Sequence, residues 1–462
     1  MDHPQLPEAR AMSAEAVDIP GSLAESVEAD PRPRRRLPIL ALFAAQFFSL
    51  SGNAIALVAI PIIALMETGS ALAAGVAGMF ATVPLVVGGA LGGVLVDRFG
   101  YRTSSIVADV ASAITVLAIP ALAATVGLSF GALLALVFLG GLLDAPGDTA
   151  KTVLMPDLAA LARMPLARAA GAQSTVQRTA TMIGGGAAGA LVAIAGPMPA
   201  LVVDAAGFAL SALLVTVLVP RRSSSRVPDG SSHESEPMRG GFVAGIRFIA
   251  RTPLLGAIVL LVTLTNAIDA AGIMVLKPVY AARVLGDPAV LGFMVGCFAG
   301  GALVGSALFG LIAHRWSGRV MFATCFVLAG TPPYLSMALG APLSVLLPVL
   351  VLSGLAAGAL NPMMSTAMYG QVPDGMRARV FGATTAGVAA AMPVGALAGG
   401  FAVEQFGLLP TLAVCGLLYA MLGASPFLIR AFSGLTAART HGSGGAQKTP
   451  AAASGPLADT TA

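Results

Sequence analysis

Asp269 stands about sixteen residues past Pro253 inside an apolar stretch, with Asn266 one turn before it; at about 1.5 Å per residue that is roughly 24 Å into a helix. Hydrocarbon disfavours the charged form of a carboxyl, so an acid at this depth can load and release a proton, or it can sit neutral and hydrogen-bonded to a neighbouring helix. A second group is Asp144, Asp148 and Lys151, whose spacing puts them on one helical face. Arg178, in the next apolar run, reaches a comparable depth. Paired with Asp148 or Asp144 it would neutralise one carboxylate and leave the other free to titrate, or the three would form a purely structural network. Asp109 has Lys151 or the loop arginines as partners. Asp204 follows Pro197 and Pro199 closely, which predicts a place in the first turn of its helix, serving the N-terminus. Lys277 and Arg283 can snorkel to an interface.

Other chemistry has no residues to carry it. Cys297, Cys325 and Cys415 each lie in an apolar run without ligand-like spacing to His3, His233, His314 or His441, so the sequence predicts neither a disulfide framework nor a metal site. A phosphate-cradling loop needs Gly-Lys-Ser/Thr, but Lys151, Lys277 and Lys448 follow Ala, Leu and Gln. The reading is of a protein that is not an enzyme, takes no cofactor and binds no nucleic acid.

The elements that must position these acids follow from composition. Of 462 residues 56% are hydrophobic and only 10% charged, with a mean hydropathy of +0.87. Soluble domains are about one quarter charged, so this chain cannot cover a water-facing surface. Its apolar runs repeatedly reach about twenty residues, the length of a membrane-crossing helix rather than a barrel strand.

The expected class is all-α integral membrane. Residues 1–37 read as a disordered cytoplasmic tail ending in Arg32, Arg34, Arg35 and Arg36, with no cleavable signal. Residues 38–220 divide at polar breaks into six spans, 221–252 form a cytoplasmic linker with an amphipathic run around Phe242 to Ile249, 253–430 hold six more spans, and 431–462 form a second disordered tail. Of the 26 Lys and Arg, all except Lys151, Arg178, Lys277 and Arg283 fall on one side of this twelve-span layout. The positive-inside rule then makes both termini and the linker cytoplasmic, in a multi-pass protein of the inner (plasma) membrane.

The two blocks repeat each other. Pro61 and Pro278, Gly93 and Gly310, and Pro156-Asp157 and Pro373-Asp374 are each 217 residues apart; beyond the fourth span the offset becomes 211, matching Gly184, Gly189 and Gly196 to Gly395, Gly400 and Gly407. Parallel duplicates of this kind place a transport site between the halves.

At the end of the second span stands Gly93-Val-Leu-Val-Asp97-Arg98-Phe-Gly100-Tyr-Arg102, with a degraded copy from Gly310 to Arg319. This resembles the signature loop of the major facilitator superfamily, and the resemblance extends over about residues 38–430. The stretches Ser51-Gly-Asn53, Met155-Pro-Asp157-Leu, Val203-Asp204-Ala-Ala-Gly-Phe208 and Leu276-Lys-Pro278-Val-Tyr280 look like the branch containing macrolide-efflux and enterobactin-exporter-like proteins. The resemblance implies the major facilitator fold, twelve helices in two parallel six-helix repeats, acting as a monomer that exports small molecules by alternating access in exchange for protons. It also implies a gating loop of Gly93, Asp97, Arg98, Gly100 and Arg102, in which Asp97 meets the eleventh span near Val380 to Gly382; the alternative is that the arginines only set topology. Gly184-Gly185-Gly186 resembles the antiporter motif of drug exporters, with Gly185 where a Gly-Pro step is expected.

For coupling to protons the candidates are Asp269, Asp144, Asp148 and Arg178. For the substrate cavity they are Gln46, Asn53, Gln173, Gln177, Asn266 and Asn361 as hydrogen-bonding groups, with Met274 and Met363 as flexible apolar surface. Such a cavity suits an amphiphilic drug-like or siderophore-like molecule. A facilitator or importer on the same fold, or a non-transporting membrane sensor or scaffold, are the alternatives.

Overall fold

The computed structural model describes residues 35–221, 238–287, 290–312, 318–373 and 376–433, without the side chains of 88–99 and of Arg178 among others. Most of the two expected tails, at 1–34 and 434–462, and linker residues 222–237 lie outside the described residues.

The first half contains α1 (Leu37–Thr68), α2 (Ala71–Phe99), α3 (Tyr101–Thr125), α4 (Phe130–Leu161), α5 (Leu166–Ala195) and α6 (Pro197–Leu218). The amphipathic run of the linker is α7 (Met238–Arg251). The second half contains α8 (Pro253–Ala271), which continues through a π-helical turn (Gly272–Leu276) into α9 (Lys277–Arg283), then α10 (Val290–Ile312), α11 (Arg319–Ala338), α12 (Leu343–Gln371), α13 (Arg377–Phe406) and α14 (Leu408–Leu428). Among the described residues eleven helical segments are long and apolar enough to cross a membrane, the one at Pro253–Arg283 being the combined α8 to α9. The twelfth expected helix is the 29-residue α2, whose described apolar part is Ala71–Pro84.

Local signals set the ends. Ser129 caps α4, its hydroxyl accepting from the Ala132 amide at 3.2 Å. The α5 to α6 and α13 to α14 junctions are single glycines, Gly196 and Gly407, at φ +87° and +86°, where a side chain would be strained. Prolines lie inside α1, α2, α3, α4, α11, α12, α13 and α14, a residue that membrane helices tolerate where surrounding protein, water or local adjustment can answer the freed carbonyl.

The repeat is visible in the packing. In the first half α2 and α3 pack on α4, α3 on α6, and α1 on α5; the second half matches this with α10 and α11 on α12, α11 on α14, and α8 on α13. A side-chain device is duplicated too. Arg102, at the start of α3, donates to the carbonyls of Val219 (2.8 Å) and Thr216 (2.6 Å) at the end of α6, while Arg319, 217 residues on, donates to those of Pro426 and Phe427 at the end of α14. Each arginine satisfies carbonyls that a helix C-terminus leaves orphaned.

The halves meet through α2 with α13 and α5 with α10, with backbones in contact at several glycines and side chains packed across the seam as well, Met274 lying against Gly78 and sharing a core with Leu65, Ala71 and Ala74. A Cβ on Gly292 would stand 1.7 Å from the Gly189 carbonyl, and one on Gly75 would stand 2.6 Å from the Ala396 carbonyl. Arg283 adds a bond to the Gly69 carbonyl at 2.7 Å. These contacts gather at the ends of the helices opposite to Arg35 and α7. At the other end α7 docks on the second half, with Phe248 and Ile249 packed against Leu255, Met368, Val372 and Val380.

Gly292→Val would wedge α5 from α10. Overpacking of this size costs about 1–3 kcal/mol, so we expect a lower unfolding temperature in detergent and faster thiol labelling of cysteines introduced at the α5 and α10 ends nearby.

Candidate functional site

A cavity of about 260 Å³ lies in the first half, between α1, α2, α3, α4, α5 and α6. Its wall is apolar except for Asn53, Ser112, Asp144, Asp148 and Thr181. The α-helical spacing brings Asp144 and Asp148 of α4 to this wall, as expected, and α1 meets them with Asn53, whose amide nitrogen donates to Asp144 Oδ2 at 2.7 Å. The other oxygen of Asp144, one oxygen of Asp148 and the Ser112 hydroxyl have no hydrogen-bond partner among the described residues. Polar groups left so in an apolar wall cost free energy unless water, a proton or a solute satisfies them. At about 30 Å³ per molecule the space holds several waters. It is below the range of roughly 300–1,000 Å³ for sites enclosing a drug-sized ligand.

Behind this wall Lys151 is committed elsewhere. Its Nζ lies 2.7 Å from Asp109 Oδ1, both side chains fully buried, and Asp109 Oδ2 accepts from the Ser211 hydroxyl at 2.7 Å. The pair ties α3 to α4 and α6. Each partner answers the other's charge in a place water does not reach. The side chain of Arg178, and so any pairing of it with the α4 acids, lies outside the described residues.

A second constellation occupies the other half. The Tyr419 hydroxyl of α14 donates to Asp269 Oδ2 at 3.2 Å. Tyr334 of α11 donates to the Ile268 carbonyl at 3.0 Å, and its hydroxyl fills the space where a Cβ on Gly272 would sit. Asp269 itself is exposed on the isolated chain, while its bond to Tyr419 is partly buried. The π-helical turn begins three residues later, and such turns frequently mark functional sites. Beyond it Lys277, which attracts Asp269 electrostatically, lies 5.4 Å from the Phe298 ring centre.

The remaining expected cavity residues are dispersed. Gln46 and Gln173 are buried and satisfy each other, Gln173 Nε2 donating to Gln46 Oε1 at 3.2 Å. Asn266 donates to the Val262 carbonyl of its own helix at 2.9 Å. Gln177 is half-buried and Asn361 exposed. Met274 and Met363 belong to a core cluster of the second half that also takes in Leu65, Ala71 and Ala74 of the first. In the loop after α2, Gly100 takes φ +83° and Arg102 holds the end of α6, while the side chains at 93, 97 and 98 lie outside the described residues.

One expectation needs correction. Asp204 does not serve the start of α6: the helix begins at Pro197 without a side-chain cap, so Asp204 is two turns in. There it is fully buried, with both carboxylate oxygens unpartnered among the described residues. Sequence reasoning missed Tyr334 and Tyr419, although a phenol inside a membrane span is itself a signal, because its hydroxyl must find a partner.

Comparison with known proteins settles what kind of protein carries these sites. The model of the Major Facilitator Superfamily matches residues 42–265 and 259–457. The chain belongs to that superfamily. It is a multi-pass membrane transporter that handles small molecules. It is 29% identical over 392 residues to the multidrug efflux pump Tap of Mycolicibacterium fortuitum, covering 84% of this chain and 95% of that one. To the enterobactin exporter EntS of Escherichia coli O1:K1 / APEC it is 28% identical over 352 residues, covering 75% and 80%. Among solved structures, a mutant of the nucleoside transporter NupG superposes with a TM-score of 0.66 at 14% identity, covering 86% of this chain and 99% of that one. A bacterial homologue of the lysosomal transporter Spinster superposes at 0.63 and 15% identity, covering 88% and 98%. These two likenesses establish the fold.

Removing one partner of the Lys151 to Asp109 pair leaves a buried charge. Lys151→Met or Asp109→Asn alone should therefore destabilise by about 3–5 kcal/mol, whereas the double variant recovers much of the loss; thermal unfolding of the purified proteins checks this.

Proposed function

We propose that this transporter exports small amphiphilic molecules, drug-like or siderophore-like, from the cytoplasm in exchange for protons. The two repeats, 38–220 and 253–430, rock about the glycine contacts that join them. The observation that carries this reading is that the inter-half contacts among the described residues gather at one end, where glycines bring backbones together beside side chains such as Met274. Contacts confined to one end let the halves part there and close at the other, as alternating access requires. With both termini and α7 in the cytoplasm, the closed end is the outer one, so the arrangement described is open towards the cytoplasm. Export is favoured by the relatives: one is named a multidrug efflux pump and another an enterobactin exporter.

Asp269 is the coupling acid in this scheme. It is exposed on the isolated chain, and its hydrogen bond from Tyr419 links α8 to α14, so gain or loss of a proton acts on the packing of the second half. Asp144 and Asp148, beside Asn53, form the polar part of a substrate surface in the first half. Because the enclosed volume is small, a drug-sized substrate must also use surface in the cleft between the halves. The protein works as a monomer, since each copy carries both halves and both sites.

In inverted membrane vesicles an acid interior should drive accumulation of substrate, with antibiotics, dyes and siderophores as the panel. Collapse of the pH gradient with an ionophore, or Asp269→Asn, should remove the accumulation. Accumulation that survives the ionophore rejects proton coupling. Cysteines placed at Arg226 and Arg439 should label from the cytoplasmic side together; labelling from opposite sides rejects the topology.

A further inference from the structure

The sequence offsets that relate the two halves also relate their buried acids. Gly52 of α1 and Asp269 of α8 are 217 residues apart, and Asp204 of α6 and Cys415 of α14 are 211 apart, the same intervals that align the repeat before and after the fourth span. In the second half the carboxyl is on the first helix, at Asp269, and faces the sixth, where Tyr419 donates to it. In the first half the roles are exchanged. The carboxyl is on the sixth helix, at Asp204, and lies so close to the first that a Cβ on Gly52 would stand 2.2 Å from Asp204 Oδ1. Both halves therefore hold one aspartate at the crossing of their first and sixth helices, donated from opposite sides.

We propose that Asp204 is a second proton-carrying residue of the transport cycle, the first-half counterpart of Asp269. The proposal rests on the exchange mechanism above. The side chain is fully buried and neither oxygen has a hydrogen-bond partner among the described residues. From α1 it faces Gly52 and from α4 Asp144, which acts on it electrostatically and repels its charged form. On α3 the nearest acid is Asp109, already held by Lys151 and Ser211, and the Arg178 side chain of α5 lies outside the described residues. A carboxylate with no donor on either oxygen, against backbone and near another acid, is stable in this arrangement only with a proton on it. Losing that proton must loosen the contact of α6 with α1 or admit water to it. A route for water is at hand, since Leu201 and Phe208, one turn to either side on the same face, line the cavity together with Asn53 and Asp144. The close approach at Gly52 makes α1 a sensor of this event, and α1 also carries the Asn53 that holds Asp144.

Asp204→Asn keeps the shape and fixes the group in its neutral form. In vesicles of the full-length protein, each coupled proton is worth about tenfold in accumulation per pH unit. We expect Asp204→Asn to lose about that factor, or all gradient-driven accumulation, while exchange of labelled for unlabelled substrate continues. Retention of wild-type accumulation overturns the proposal, and so does loss of exchange along with accumulation, which assigns Asp204 to packing or substrate binding. Infrared spectroscopy of the purified protein supplies a readout that needs no substrate. The difference between wild type and Asp204→Asn should contain a protonated-carboxyl band that disappears as pH is raised; no band, or one that never titrates, overturns the proposal even if the exporter reading holds. A titrating band in a protein that moves none of the panel substrates would retain Asp204 as a titrating site, reject its transport role and point to the failure of the exporter reading itself.

Discussion

A carboxyl group in hydrocarbon must be neutralised, by a cation, a hydrogen-bond donor, water or a proton, and this constraint organises the polar residues of the chain. Four aspartates within the helices meet it in different ways. Asp109 has a lysine and a hydroxyl. Asp144 has one amide donor and a cavity. Asp269 has a phenol and is otherwise exposed on the isolated chain. Asp204 has none of these among the described residues. The series runs from a group that is structurally satisfied to groups that are satisfied only in part, and the latter sit where the helices of each half cross.

The second constraint is closeness of backbones. Where the halves join, the neighbours are Gly75, Gly189, Gly292 and Gly400, and a single added methyl at several of these points would overlap a carbonyl. In lipid there is no hydrophobic drive to press helices together, so small residues that permit direct van der Waals contact do that work. The same device works within the second half, where a Cβ on Gly354 would stand 2.1 Å from the Phe298 carbonyl, and there large side chains interlock as well, as with Tyr334 and Tyr419 beside Gly272 and Gly330. Across the seam, apolar side chains such as Met274 and Leu291 join the packing.

Much of this was legible in the residues alone. Apolar run length gave the membrane class, and proline and glycine offsets gave the duplication, because both are properties of the chain itself. The α4 spacing brought Asp144 and Asp148 to one wall for the same reason. Contacts between distant helices were not legible. Gln46 with Gln173, Asn53 with Asp144 and Tyr419 with Asp269 join positions at least ninety residues apart in sequence, and helical periodicity says which face a residue is on but not which helix that face meets. The placement of Asp204 failed differently. Proximity to Pro197 and Pro199 suggested a helix start, but Gly196 turns the chain so sharply that α6 begins at Pro197 and the aspartate is carried two turns into the bundle.

The duplication also explains why the two halves need not act alike. A gene duplication supplies two equal crossings of first and sixth helices, and placing the acid on opposite partners makes them unequal. In the first half α1 and α6 are tightly packed with glycine at the closest point, so the carboxyl is sealed. In the second, α8 and α14 touch less, and a tyrosine spans the gap to the carboxyl. The π-helical turn just after Asp269 has no counterpart at the equivalent place in α1, which runs as α-helix through Pro61. In the proposed exchange of protons for substrate, the sealed carboxyl would exchange its proton only when its helices part and the other would do so without that step, and this inequality would let a duplicated scaffold carry a directional process.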